Sequence, residues 1–392
     1  MPTTSRTMRS MPSSPPSSSA SSLRTLVVLA LVLALAGIGS PGQAESPPAF
    51  AATFVQLWDR HENWPPEQWD ILCADLAALG VRELILQWSL RTEPAFFWRL
   101  TPERRKEVPH DRIDPALAVE AVVQAAKRHD LRVRFGLTED PAWWAEIKNE
   151  PTLVEVFLNR LLQDQLALAR TLTEIYGQDD VFAGFYIPQE IDDQTWLDAD
   201  RRCRLEEHLA RLFDGLEIIR PGSSLAISCF ATGKDDPRGF ARFMARLACA
   251  GGIGLVLYQD GLGTERLLQT ESAAYLQALV PALAEVGTRV SVVVETFAPT
   301  PDGRGFIPAP MARIASQLAQ ARSLTDTPIT AFSLPDYVHP LAGPKAEDIF
   351  RAYGEYLLEI RYPDKKDLSS FERTSEVSSK NDSGQTHCHK ED

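Results

Sequence analysis

Val181-Phe-Ala-Gly-Phe-Tyr-Ile-Pro-Gln-Glu190 reads as a buried strand that ends on a carboxylate, and Val290-Ser-Val-Val-Val-Glu295 reads the same way. Short apolar runs of this kind, rich in β-branched and aromatic residues, recur along the chain. They are Thr53–Trp58, Glu83–Trp88, Arg132–Leu137, Val181–Ile187, Ser224–Phe230, Gly254–Tyr258, Arg289–Val294 and Ile329–Leu334. The runs leading to Glu190 and Glu295 are the fourth and seventh of these eight. Segments of helical period lie between them: Glu67–Leu79, Pro115–His129, Pro151–Tyr176, Arg201–Ile219, Arg238–Ala250, Thr270–Glu285, Pro310–Arg322 and Ala346–Ile360. The first carries Trp69, Leu72, Cys73, Leu76 and Leu79 on one stripe. The second opens with Asp114 as N-cap and Pro115 at the first helical position.

Eight strand–helix units predict an α/β fold, a single-domain (β/α)8 TIM barrel over residues 51–362. An open doubly wound sheet is the alternative. The regular alternation, with no G-x-G-x-x-G and no P-loop sequence, speaks against it. In a parallel barrel the C-terminal strand ends form one rim, and chemistry is done there.

The ends differ from the middle. Residues 1–44 have the pattern of a signal peptide: Arg6, Arg9 and Arg24 precede the apolar run Leu26–Ile38, and Gly42-Gln43-Ala44 offers a small-x-small cleavage site. Thirteen apolar residues are short for spanning a bilayer, so an uncleaved anchor is the lesser reading, and Met8 or Met11 are candidate starts. The expectation is a periplasmic or secreted protein with no membrane association after cleavage. Residues 45–50 form a linker, and residues 363–392 a disordered polar tail. His387-Cys388-His389 in that tail is too small a set to argue for a metal. The other cysteines, Cys73, Cys203, Cys229 and Cys249, have no zinc or disulfide-framework spacing; Cys73, Cys203 and Cys249 read as buried small hydrophobes. No cofactor is expected.

Of 392 residues, 44% are hydrophobic and 24% charged, a globular balance; the net charge of -13 argues against nucleic acid and polyanionic partners. The strand ends carry aromatics beside amides or carboxylates. Sugars suit that mixture, because their C–H faces stack on rings and their hydroxyls need short polar partners. The candidate substrate-binding residues are Trp58, Gln87, Trp88, Trp143, Trp144, Tyr186, Gln189, Tyr258, Gln259, Asp260, Phe297, Asp336 and Tyr337. Large aromatics also plug barrel mouths, which is the competing reading for Trp58, Trp88, Trp143 and Trp144. Arg91 is placed either to clamp a substrate or to form a surface salt bridge.

A buried, unpaired carboxylate is costly, so Glu190 and Glu295 need a reason to sit at strand ends. A salt bridge is one reason and a reaction is the other. Two carboxyls across a rim can cleave a glycosidic bond, one protonating the leaving oxygen and the other attacking the anomeric carbon. Glu190 is assigned the acid/base role and Glu295 the nucleophile role, with Tyr258 expected to hydrogen-bond Glu295. Asp260, Asp192 and Asp336 are possible substitutes for either glutamate.

Thr53-Phe-Val-Gln-Leu-Trp58, Leu84-Ile-Leu-Gln-Trp88, Phe185-Tyr-Ile-Pro-Gln-Glu190 and Tyr258-Gln-Asp-Gly-Leu-Gly263 together resemble a bacterial family, domain of unknown function 4434. The resemblance implies a TIM barrel similar to glycoside hydrolases. The glutamates on strands four and seven also resemble the large clan of retaining glycosidases that keep acid/base and nucleophile there. That clan has Asn before the acid/base, where its amide binds the sugar 2-hydroxyl; this chain has Gln189. The expected function is that of an exported retaining glycoside hydrolase acting on a polysaccharide or oligosaccharide. The alternative is a non-catalytic carbohydrate-binding barrel that assists exopolysaccharide assembly or export. A third class, another hydrolase on the same scaffold, lacks support: there is no G-x-S-x-G and no H-E-x-x-H.

Overall fold

The computed structural model describes residues 48–58, 61, 64–91 and 115–361. Eight parallel strands close into a barrel: β1 (Phe50–Val55), β2 (Glu83–Leu86), β3 (Arg132–Gly136), β4 (Phe182–Asp192), β5 (Leu225–Phe230), β6 (Leu255–Gln259), β7 (Arg289–Glu295) and β8 (Ile329–Phe332). Each strand pairs with its chain neighbours, and Thr53 opposite Ala331 closes β1 on β8. Eight helices form the outer layer: α1 (Pro66–Leu79), α2 (Pro115–Arg128), α3 (Pro151–Tyr176), α4 (Ala199–Ile219), α5 (Pro237–Ala250), α6 (Gln269–Ala284), α7 (Met311–Leu324) and α8 (Pro344–Arg361). Local chemistry sets several of their limits. Pro66 opens α1, and Gly80 at φ +100° ends it in the left-handed region that glycine tolerates. Asp198 caps α4 through the Arg201 amide, and Asp236 caps α5 through those of Arg238 and Gly239.

Successive residues of a strand face opposite sides, and that alternation sorts the rim. Ala52, Phe54, Ile85, Tyr186, Ala226, Leu255, Leu257 and Val293 pack together inside the barrel. Val55, Leu84, Leu86, Phe135, Ile187, Ile191, Ile227, Tyr258 and Val294 belong to the larger core between strands and helices. Extended by twos, the inward set reaches Gln87, Thr138, Glu190, Phe230, Gln259 and Glu295. Lower in the barrel, Arg134 is 4% exposed and is held by Glu83 at 2.7 Å and Ser224.

The strands occupy the eight expected runs, with shifted ends. β1 begins three residues earlier than the Thr53 run and takes Phe50 from the supposed linker. β4 continues past Ile187 to Asp192 because its pairing with β5 slips, Ile187 facing Ile227 and Ile191 facing Cys229. Cys73 and Cys229 are buried, but Cys203 and Cys249 are exposed. The buried face of α4 is Leu205, His208, Leu209, Leu212 and Leu216, and Cys203 lies off it. The leader and its cleavage site, Asp59, Trp98, the segment between Arg91 and Pro115, Asp114, and the tail with His387, Cys388 and His389 lie outside the described residues.

Candidate active site

Glu190 and Glu295 both face the mouth of the barrel. Glu190 is partly exposed, and its Oε1 accepts a hydrogen bond from Gln259 Nε2 at 2.7 Å. Glu295 is 3% exposed, and its Oε2 accepts two backbone N–H groups, Gly263 at 2.5 Å and Thr264 at 2.9 Å. Neither glutamate forms an ion pair among the described residues. Gly263 has no room for a side chain: a Cβ there would lie 2.7 Å from both Glu295 Cβ and the Phe297 oxygen.

The two carboxyls differ electrostatically. Burial pushes the Glu190 carboxyl up; the Gln259 hydrogen bond and the Arg266 charge pull it back, and the charges of Glu295 and Asp192 add to the rise. Burial also pushes Glu295 up to about 7, helped by Asp260 and opposed by the two backbone N–H groups and Arg266. Asp260 lies behind Glu295, 5% exposed, and is itself raised to about 6, by burial. Its Oδ2 accepts from Gln317 Nε2 at 2.5 Å, and its Oδ1 accepts from the backbone N–H of Leu262 and Glu295. Arg313, from α7, bonds the carbonyls of Leu262, Glu295 and Phe297 and so ties the β6 loop to the end of β7.

Three groups of aromatics surround the pair. Trp58 and Trp88 meet edge to face at 5.2 Å, with Arg91 lying 6.0 Å and 5.5 Å from their rings and paired to Glu139 at 2.9 Å. Trp144, 37% exposed, meets Phe230, and Arg266 stacks 4.4 Å over Phe230. Phe297 contacts Phe306, Phe332 and Tyr337, with Phe306 half exposed at the far side of a two-stranded hairpin, Phe297–Pro299 against Phe306–Pro308.

Other expected contacts are redirected. Tyr258 faces the helices, and its hydroxyl reaches Ser272, not Glu295. Gln189 also points outward: its Oε1 accepts from Gln165 and its Nε2 donates to the Thr138 carbonyl, so the amide beside Glu190 comes from Gln259. Trp143 is 4% exposed, packs on Phe157 and Trp196, and donates to the Glu190 carbonyl at 3.3 Å, a supporting position behind the rim. Tyr186 is fully buried at the barrel floor with its hydroxyl on Ser228. Asp260 serves Gln317 and backbone N–H groups. Asp336 accepts from the hydroxyl of Ser333, which in turn caps a short turn through the Asp336 N–H, and Asp192 binds the amides of Gln194 and Thr195. Each is occupied by local structure. Gln87, Gln259, Trp58, Trp88, Trp144, Phe297 and Tyr337 remain around the glutamates. Arg91 takes the salt-bridge alternative, on Glu139. The pair of backbone amides, Arg266 and Arg313 went unassigned; the glycines of Asp260-Gly-Leu-Gly263 were the one sequence signal for the amides.

Residues 51–346 match the family described as domain of unknown function (DUF4434). The chain belongs to the DUF4434 family. Its relative, uncharacterized protein YbcH of Escherichia coli (strain K12), is 30% identical over 285 residues, which is 71% of this chain and 88% of YbcH. Among solved structures, this DUF4434 chain is similar to a putative alpha-L-fucosidase from Bacteroides thetaiotaomicron, with a TM-score of 0.64 and 17% identity, covering 81% of this chain and 97% of that one. It is also similar to the endo-1,4-beta-D-mannanase of Thermotoga petrophila, with a TM-score of 0.51 and 11% identity, covering 78% and 99%. At these identities the likeness is one of fold: this DUF4434 chain shares the TIM-barrel fold of these two proteins.

Proposed function

We propose that this protein is an exported glycoside hydrolase that cleaves a polysaccharide or oligosaccharide with retention of configuration. One observation carries it: two carboxyls on strands four and seven face the same barrel mouth, and among the described residues neither is neutralised by an arginine or lysine bridge. A glutamate with no such bridge is available for proton transfer or attack.

The roles follow from strand position and partners. Glu295 is assigned the nucleophile role by its place on strand seven; its two backbone N–H bonds, on one oxygen, favour the ionised form against the burial and the Asp260 charge that hold its carboxyl up at about 7. Its attack on the anomeric carbon forms a glycosyl–enzyme ester while Glu190 gives its proton to the departing oxygen. Glu190 then takes a proton from water, which attacks the anomeric carbon, breaks its bond to the Glu295 oxygen and releases the carboxylate. Desolvation pushes the Glu190 carboxyl up, and the charges of Glu295 and Asp192 add to the rise, the direction a proton donor needs. The aromatic groups beside the pair supply stacking surfaces for sugar rings. Solved proteins of this fold that bear glycosidase names support the same reading by analogy, and the pattern of residues 1–44 supports export.

The test is a panel of aryl glycosides and polysaccharides with the parent protein, Glu190→Gln, Glu295→Gln and Glu295→Ala. Turnover lost in both Gln variants, with azide restoring Glu295→Ala and giving an inverted glycosyl azide, is the expected result. Turnover that survives both Gln changes rejects the assignment. Carbohydrate binding with no turnover by the parent would leave a carbohydrate-binding barrel.

A further inference from the structure

Buried polar atoms without partners are rare in folded proteins, and several gather on one arc of this rim. Among the described residues, Gln87 Oε1, Trp88 Nε1, Ser89 Oγ and Thr138 Oγ1 are all buried with no hydrogen-bond partner. Trp88 is 3% exposed, and Ser89 and Thr138 are fully buried. They share one place, because the Ser89 N–H bonds the Gly136 carbonyl and Leu90 pairs with Thr138. Gln87 and Thr138 continue the inward alternation of β2 and β3 and so face the space over which Glu190 stands. Trp58, partly exposed, lies at the same edge against Trp88.

We propose that this arc is a subsite for one uncharged glycosyl unit, held through its hydroxyl groups by the Gln87 carbonyl and the Thr138 hydroxyl. The proposal rests on the reading of Glu190 and Glu295 as a carbohydrate site and narrows its substrate class. Two features select the ligand. The partly exposed Trp58 ring and a close set of short polar groups suit a sugar ring better than an apolar ligand. Among the described residues of this arc the charges pair, Arg91 with Glu139 at 2.9 Å, and the unpartnered atoms belong to neutral side chains. Within this arc a uronate would have to draw Arg91, or an amino sugar Glu139, out of that pair; a neutral sugar leaves it in place. The unpartnered groups leave interaction energy unrealised until hydroxyls supply the missing partners, which is how a site comes to require those hydroxyls.

Calorimetric titration of the full chain carrying Glu190→Gln tests this. The probes are cellotetraose, mannotetraose and xylotetraose, against tetragalacturonate and a fully deacetylated chitosan tetramer. At least one neutral tetramer is expected to bind, and both charged ones more weakly. Adding Gln87→Leu or Thr138→Val, each of similar shape without the polar atom, is expected to weaken the neutral tetramer roughly tenfold or more. Melting temperature should hold or rise, because an unpartnered buried atom has been removed. Tighter binding of a charged tetramer, no neutral binder at millimolar concentration, unchanged affinity in both variants, or a melting temperature lowered in both overturns the proposal. The two readings separate cleanly. Neutral binding without turnover by the parent rejects the hydrolase and keeps the subsite; turnover with affinity indifferent to Gln87 and Thr138 rejects the subsite alone.

Discussion

Glu295 stands directly on Asp260: the backbone N–H of the glutamate donates to the aspartate Oδ1 at 3.4 Å, and the Asp260 charge raises the Glu295 carboxyl. Asp260→Asn removes that charge. Among the described residues the Gln317 Oε1 beside the site has no partner, so turning the amide lets the new Asn amide donate there. The variant is expected to fold normally. Glu295 then ionises at lower pH, and the acidic limb of the kcat/KM profile moves down. A pH profile of the purified variant checks this; an unmoved or upward-shifted limb contradicts it.

Glu295→Gln should abolish turnover, by roughly 10⁴-fold or more for loss of a nucleophile. It should also stabilise the protein at neutral pH. The folded carboxyl is raised from 4.5 to about 7, chiefly by burial. Its stabilising share is therefore complete below about 4.5 and is lost as pH rises through about 7, because the unfolded chain ionises first. A glutamine does not titrate and can still accept from Gly263 and Thr264. Thermal melts across pH should show the variant gaining on the parent as pH rises, and no gain in the acidic range. A gain that shrinks toward neutrality would be the wrong sign.

Gln259→Leu removes the hydrogen bond that Glu190 receives. That bond favours the ionised carboxyl, so its loss raises Glu190 further. With Glu190 as the acid, the basic limb of the pH profile should shift upward while melting temperature stays close to the parent. If only the acidic limb moves, the roles of the two glutamates are reversed.

The barrel was legible because each strand buries both faces, which leaves continuous runs such as Val292-Val-Val294 that helices with their stripes do not produce. The rim was harder. Strand alternation was enough to separate Gln259 from Tyr258 and Glu190 from Gln189, and it places Tyr258 and Gln189 outward without coordinates. Trp143 is different. It lies on a short turn, and only folding brings its indole to the Glu190 carbonyl. Arg313 is eighteen residues beyond Glu295 on a helix of mixed character, and nothing local marks it as the brace of three carbonyls.

Gly263→Ala tests the amide cradle. The added methyl would fall 2.7 Å from Glu295 Cβ and from the Phe297 oxygen, and neither is the free end of a flexible chain. The loop must withdraw, the two N–H groups leave Glu295, and the carboxyl rises. Expected are a loss of about 1–3 kcal/mol in stability, as for overpacked interiors, and an acidic limb shifted to higher pH. Denaturant unfolding and a rate profile measure both. Full activity with an unmoved limb would show that the cradle is dispensable.

A residue with no side chain thus sets the terms on which its neighbour carries charge. Position 263 becomes a one-letter filter for relatives of this barrel. Where a larger residue stands there on an otherwise unchanged loop, the facing glutamate has lost its anion seat, and chemistry that depends on it should be sought elsewhere or not at all.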